Sequence, residues 1–300
     1  MAKPSVSDRL DKLSDKWLED ARVVKPSSVP AEVYHYTDAA GLVGMLSAHE
    51  IWLTDFRFLN DRSEFVYAKT IVQNVTDEVC GQDASEICQQ FIDRIRHYQS
   101  TEDAYAAFVF SLSDRNDDLS QWRGYARDGL GFNIGFDAKA LYRVSSPSDE
   151  QPYSFSIVEY GKARQFNTLQ TAFDEFRTLL TKEDVTDEDI DTAGRLFEWM
   201  ARNRGALNKH ESFEGEREWR IVAYCPRDSD SINVRASGLR LVPYMKLKPQ
   251  ETGDLLPIRS IGVGPGFTDA EIGDAVRTLA HRNGYADLRI DFAKTPFRRL

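Results

Sequence analysis

A chain of 300 residues, 41% hydrophobic and 29% charged, is long enough to bury a full core without disulfides, and its 18 Gly and 11 Pro are too few and too scattered for a disordered or repetitive chain. A formal charge of −10 excludes a life of general phosphate-backbone contact, which takes many Lys and Arg to displace counterions, although a local basic groove stays open. The opening MAKPSVSDRL has no apolar leader core, nothing approaches the roughly 20 apolar residues of a membrane span, and Cys80, Cys88 and Cys225 lack CxxC spacing, so the expectation is a soluble cytoplasmic protein with inert thiols.

In chain order, Val6, Leu10, Leu13 and Trp17 form one apolar stripe and predict a first helix. After the Pro26 to Pro30 break, Val33–Tyr34–His35–Tyr36–Thr37 is rich in β-formers and reads as a strand; Asp38 then caps a helix that ends before a second strand, Ile51–Trp52–Leu53–Thr54. Asn60–Asp61–Arg62–Ser63–Glu64 has the form of a capping box opening a long helical region to about His97. Residues 106–113 form a mostly buried strand with Ser111 and Ser113 near its rim. Asp117 or Asp118 caps a short helix holding Gln121, Trp122, Arg123 and Tyr125, and residues 131–136 return as a strand.

Residues 153–160 alternate as one strand, and two helices with an acidic connection fill about 162–208. Strands follow at residues 218–224, 239–247 and 258–263, then a helix from Thr268 to about Arg282 and a last strand at 288–292. The pattern is α+β, a mixed and mostly antiparallel sheet core with flanking helices. The expected organisation is an N-terminal helical arm, residues 1–25, and a single α+β domain, residues 31–300, with a helical insertion at about 162–208.

The ordered set Tyr34–His35–Tyr36–Thr37, Ile51–Trp52–Leu53–Thr54, Asn60–Asp61–x–x–Glu64, Phe110–Ser111–Leu112–Ser113, Asp118 to Arg123 with Tyr125, Gly131–Phe132–x–Ile134–Gly135–Phe136, Glu216–x–Glu218–Trp219–Arg220, Val263–Gly264–Pro265 and Pro296–Phe297–Arg298 resembles the bacterial domain-of-unknown-function 2971 family. The resemblance implies one domain and a cytoplasmic bacterial protein, and brings no activity with it.

An early His-Tyr strand, a middle Ser-x-Ser strand and a late Glu-x-Glu before a strand also look like the order of key residues in ADP-ribosyltransferases. The set combines the His of one branch of that superfamily with the Ser-x-Ser and Glu-x-Glu of the other. This motif-level resemblance implies that His35 holds the nicotinamide-side ribose, that Ser111 and Ser113 buttress the nicotinamide pocket, that Glu218 is the catalytic carboxylate and that Glu216 faces the acceptor. Tyr36, Thr37, Trp122, Arg123 and Arg220 complete the ligand-binding set. NAD is then the implied substrate, a protein or nucleic acid the acceptor, and a bacterial toxin or phage-defence role the setting, with no metal and no membrane contact.

Plain structural roles stand beside these. His35 fits a hydrogen-bonded core histidine, Glu216 and Glu218 on one strand face fit an ion pair with Arg220 or Arg217, and Trp122 beside Arg123 fits core plus surface. Residues 261–266, Ile-Gly-Val-Gly-Pro-Gly, mimic a dinucleotide fingerprint, but the third glycine is out of register and only nine residues follow Asp291, so a turn is expected there. Three functional readings stay open: an enzyme acting at the ribose of a nucleotide-like ligand, a non-enzymatic binding or interaction module with residues 162–208 as its partner surface, and a metal-dependent nuclease using Asp55, Asp61 and Glu64.

Overall fold

The computed structural model describes residues 4–22, 29–59, 63–83, 85–100, 105–145, 153–181, 185–249, 255–269 and 271–297. In chain order these form α1 (Val6–Arg22), β1 (Glu32–Thr37), α2 (Ala39–Ala48), β2 (Ile51–Asp55), α3 (Ser63–Gln82), α4 (Glu86–Ser100), β3 (Tyr105–Ser113), α5 (Leu119–Tyr125), β4 (Phe132–Asp137), α6 (Ala138–Val144), β5 (Tyr153–Ile157), β6 (Glu159–Tyr160), α7 (Lys162–Thr181), α8 (Asp187–Gly205), β7 (Asn208–Lys209), β8 (Glu218–Pro226), β9 (Asn233–Ser237), β10 (Arg240–Leu247), β11 (Ile258–Val263), α9 (Glu271–Arg282) and β12 (Arg289–Phe292). The class is α+β, and among the described strands only β11 with β12 and β6 with β7 pair in parallel. No helix of the described residues is long and apolar enough to cross a membrane.

Several elements follow from local chemistry. Asp38 accepts from the Gly41 N–H and caps α2, whose last turn closes on His49 in the left-handed region. Asp118, rather than Asp117, caps α5, and Thr186 with Asp189 makes a reciprocal capping box on α8. The box expected at Asp61 and Glu64 and the motif residue Arg298 lie outside the described residues and side chains.

Other expectations are corrected. The long helical region to His97 divides into α3 and α4, and the strand read over 153–160 is two strands in different sheets: β5 pairs with β8, β6 with β7. The short α6 and the edge strand β9 were not foreseen, the first for its seven residues and the second for its polar sequence Asn-Val-Arg-Ala-Ser. Of residues 261–266, Ile261–Val263 end β11 and the expected turn follows at Gly264–Gly266. Gly264 N–H donates to Gly131 O at 2.9 Å and Gly266 N–H to Gly129 O at 3.0 Å, so neither amide is left for an anion.

The sheet parts along β3. One edge of β3 pairs with β8 over nine residues, from Tyr105↔Pro226 to Ser113↔Glu218. Each strand residue has two sides, so β1 and β2 share the other: β1 joins at Tyr34↔Ser113, β2 at Thr54↔Val109 and Asp55↔Phe108. Between them Phe110, Ser111 and Leu112 have no paired strand on that edge. From this point one wing runs β1–β4–β11–β12 and the other β2–β10–β9.

A second apolar core lies in the helices. Leu10, Val75, Phe91, Ile95, Phe173, Phe176 and Phe197 join α1, α3, α4, α7 and α8, apart from the main core on the sheet. Gly194 permits the closest approach here, because a Cβ at that position would overlap Arg94 of α4. Gly194→Ala is expected to destabilise the fold by about 1–3 kcal/mol through overpacking, despite alanine's better helix propensity. Urea unfolding checks this, and a stabilised variant would show that the two helices can slide apart.

Candidate functional site

The parted edge opens a cleft of about 1210 Å³ whose wall includes His35, Tyr36, Thr37, Ser111, Arg123, Glu216, Glu218 and Arg220. The unpaired stretch of β3 explains the first contact. The Ser111 carbonyl faces the gap without a strand partner on that side, and His35 Nδ1 lies 2.9 Å from it. A carbonyl can only accept, so Nδ1 carries the proton and Nε2 keeps its lone pair. The ring stacks on Phe110 with centroids 4.1 Å apart. Burial, opposed by the Ser111 carbonyl and reinforced by the charge of Arg235, lowers His35 to about 4, so the imidazole is neutral at physiological pH.

On the other, fully paired edge of β3 the register sets Ser111 opposite Arg220 and Ser113 opposite Glu218, and the two-residue period turns Glu218 and Arg220 to one face of β8. Arg220 grips Glu218 with two bonds, Nε to Oε1 at 2.7 Å and Nη2 to Oε2 at 3.0 Å, while its Nη1 donates to Ala206 O at 2.8 Å. Lys209 from β7 donates to Glu218 Oε2 at 2.9 Å and to Glu216 Oε2 at 2.6 Å. Tyr125 from α5 donates to the other oxygen of Glu216 at 3.0 Å. Burial works to raise Glu218, but the charges of Arg220 and Lys209 and hydrogen bonds from Arg220 and Ser111 outweigh it and hold the carboxyl at about 2. Burial raises the Tyr125 phenol, which stays protonated beside Glu216.

The two glutamates were expected on one extended strand face. Glu216 instead ends a short 3-10 helix, Glu211–Glu216, and Arg217 takes φ 47 in the left-handed region, so the chain turns sharply between them. Their carboxylates meet through Lys209. The expected ion pair with Arg220 is present, whereas Arg217 pairs with Asp114 at 2.9 Å.

Ser113 and Trp122 stand outside the cleft wall. Ser113, expected near the rim, is buried: its hydroxyl donates to Glu216 O at 2.7 Å and accepts the Arg115 N–H, so it anchors the turn that carries Glu216. Trp122 is 1% exposed, packs edge-on against Tyr36 and donates to Asp117 at 2.7 Å, which suits a core residue. Tyr36 lines the cleft, but its hydroxyl is committed to the Arg115 and Asn116 carbonyls at 2.8 Å each. Of the three acids of the nuclease reading, Asp61 and the Glu64 side chain are not described, and Asp55 is held by Arg57 at 2.8 Å and Arg227 at 3.7 Å.

A family model described as Protein of unknown function (DUF2971) matches residues 121–221. Over that third of the chain the protein is similar to the DUF2971 family. No curated protein and no solved structure matches the chain. The DUF2971 span runs from α5 into β8 and carries Arg123, Tyr125, Lys209, Glu216, Glu218 and Arg220, so the cluster around Glu216 and Glu218 lies within it. His35 and Ser111 lie before it, on the strands that part.

Sequence reasoning missed Lys209, Tyr125 and Arg235. Tyr125 stood in a quoted motif without a role. Lys209 precedes Glu216 and Glu218 by seven and nine residues, a spacing no regular element produces, and only the turn through Arg217 brings it between them. Arg235 belongs to the unforeseen β9.

Proposed function

We propose that the chain is an enzyme that seats a nucleotide-like ligand, NAD foremost, between the two wings of the sheet and transfers or hydrolyses at its ribose. One observation carries this reading: a neutral imidazole and a paired-carboxylate cluster, distant in sequence, line the same cleft. With its proton on Nδ1, His35 offers the Nε2 lone pair to a ribose hydroxyl. Glu218 is ionised at neutral pH and fixed by three bonds from Arg220 and Lys209, which suits a carboxylate stabilising positive charge that exists only in the transition state.

When the nicotinamide bond breaks, its electron pair leaves with nicotinamide and the ribose gains oxocarbenium character. Glu218 stabilises that charge. Water or an acceptor then bonds to the same carbon and gives up a proton to solvent. Glu216 is the more exposed of the two, its side chain 16% exposed against 5%, and faces the side from which the acceptor enters. A protein or nucleic-acid acceptor and a toxin or defence role follow from the same motif-level resemblance.

The saturation of Glu218 by Arg220 and Lys209 favours a second reading, a ligand-binding module without turnover, in which the cluster braces the cleft floor. Incubation with NAD, with free nicotinamide followed by chromatography and NAD binding by calorimetry, decides. Nicotinamide release supports the enzyme, binding without release supports the module, and neither binding nor release overturns both.

A further inference from the structure

Most charges on the cleft wall are compensated. Arg127 pairs with Asp38 at 3.0 Å, Glu216 and Glu218 are held by Lys209 and Arg220, and Glu50 is held by Lys246 and Lys248. Among the described residues of the wall, Arg123, which lies over the Phe297 ring at 5.8 Å, has no carboxylate partner, and neither has Arg235. It sits on β9, where a cation often serves only to discourage edge pairing, but such a cation points to solvent. Arg235 points inward. Its Nη2 donates to Thr54 Oγ1 at 2.9 Å, and its guanidinium lies over Trp52 and Tyr244, 5.6 and 5.9 Å from the ring centroids. Trp52 is itself fixed by its bond to Glu50 and by packing on Tyr244, so the frame is rigid.

Arg235 Nε is buried and has no hydrogen-bond partner, although guanidinium donors cost free energy when left unmade. Burial works against this charge, and its field reaches His35. A framed guanidinium without a carboxylate partner, lining a cleft of a chain carrying net charge −10, suits an oxyanion.

We propose that Arg235, framed by Thr54, Trp52 and Tyr244, binds a phosphate-type oxyanion of the ligand, the diphosphate if the ligand is a dinucleotide. This deepens the proposed function and rests on its placing of a nucleotide-like ligand in the cleft. A planar set of N–H donors matches two phosphate oxygens, and Arg235 lines the same cleft as the carboxylate cluster.

The test is calorimetry of ADP, inorganic pyrophosphate, succinate and adenosine with the full chain, its Arg235→Gln variant and Arg240→Gln, which removes an exposed cation from the same hairpin. ADP and pyrophosphate are expected to bind the unaltered chain and to weaken about ten- to a hundredfold on Arg235→Gln, while adenosine is unchanged and Arg240→Gln matches the unaltered chain. Equal ADP affinity in Arg235→Gln, equal loss in Arg240→Gln, succinate as tight as pyrophosphate, or no ADP binding would each overturn the assignment. ADP binding that depends on Arg235 in a chain that never releases nicotinamide upholds the oxyanion site while the enzyme reading falls. Nicotinamide release with an unchanged KM for NAD in Arg235→Gln does the reverse.

Discussion

Glu218→Gln is expected to reduce nicotinamide release at least about a hundredfold, because the amide keeps the shape of the side chain and removes the negative charge that Arg220 and Lys209 fix in the cleft. The same change leaves Arg220, 1% exposed, and Lys209 with a neutral neighbour, so stability falls as well, by about 3–5 kcal/mol if the cluster behaves as other buried ion pairs do when one partner is removed. The two losses must be separated. Rates are measured at a temperature where circular dichroism shows the variant folded, beside Arg220→Met, which breaks the same pair from the other side and keeps the carboxylate. A catalytic Glu218 predicts that Arg220→Met retains turnover with the acid limb of its pH profile moved upward, since the Arg220 charge holds the carboxyl low. A folded Glu218→Gln that releases nicotinamide at the unaltered rate would end the assignment of Glu218 as the catalytic carboxylate.

How much of this was legible in the sequence depends on whether the cause was local. The strand at Tyr34 to Thr37, the caps at Asp38 and Asp118 and the strand beginning at Glu218 rest on β-propensity, side-chain acceptors and two-residue alternation within a few positions, and all are present. The cleft has no local cause. It exists because β8 takes one full edge of β3 while β1 and β2 take opposite ends of the other, and strand order is a property of the assembled sheet. For the same reason His35 was nameable as a candidate, but its partner, a carbonyl orphaned by the parting strands, was not. The reading of Glu216 and Glu218 as one strand face failed at a single residue, Arg217, whose left-handed backbone is uncommon outside glycine and asparagine. Lys209 was illegible because a buried lysine is chosen by the carboxylates it bridges, not by its neighbours in the chain.

Acidification is expected to destabilise the protein in two steps, and His35→Gln should abolish the first. The folded His35 imidazole, lowered to about 4, stays neutral where an unfolded one, near its ordinary 6.5, takes up a proton. Between those values the unfolded chain binds more protons, so stability is full above pH 6.5 and declines as pH falls toward 4, by up to about 3 kcal/mol for a shift of that size. Glu218 acts in the adjoining window. Its carboxyl, held at about 2 against an ordinary 4.5, contributes stability that is present above 4.5 and is lost as pH falls through 2. Glutamine at position 35 can donate its amide N–H to the Ser111 carbonyl and cannot titrate, so the variant should lose the slope between pH 6.5 and 4 and keep the loss below 4.5. Urea unfolding at half-unit steps from pH 7 to 3 reads both. A variant with the unaltered slope above pH 4.5 would mean that His35 takes up a proton without unfolding, and an imidazole able to do so could not serve as the lone-pair acceptor of a ribose hydroxyl in mild acid.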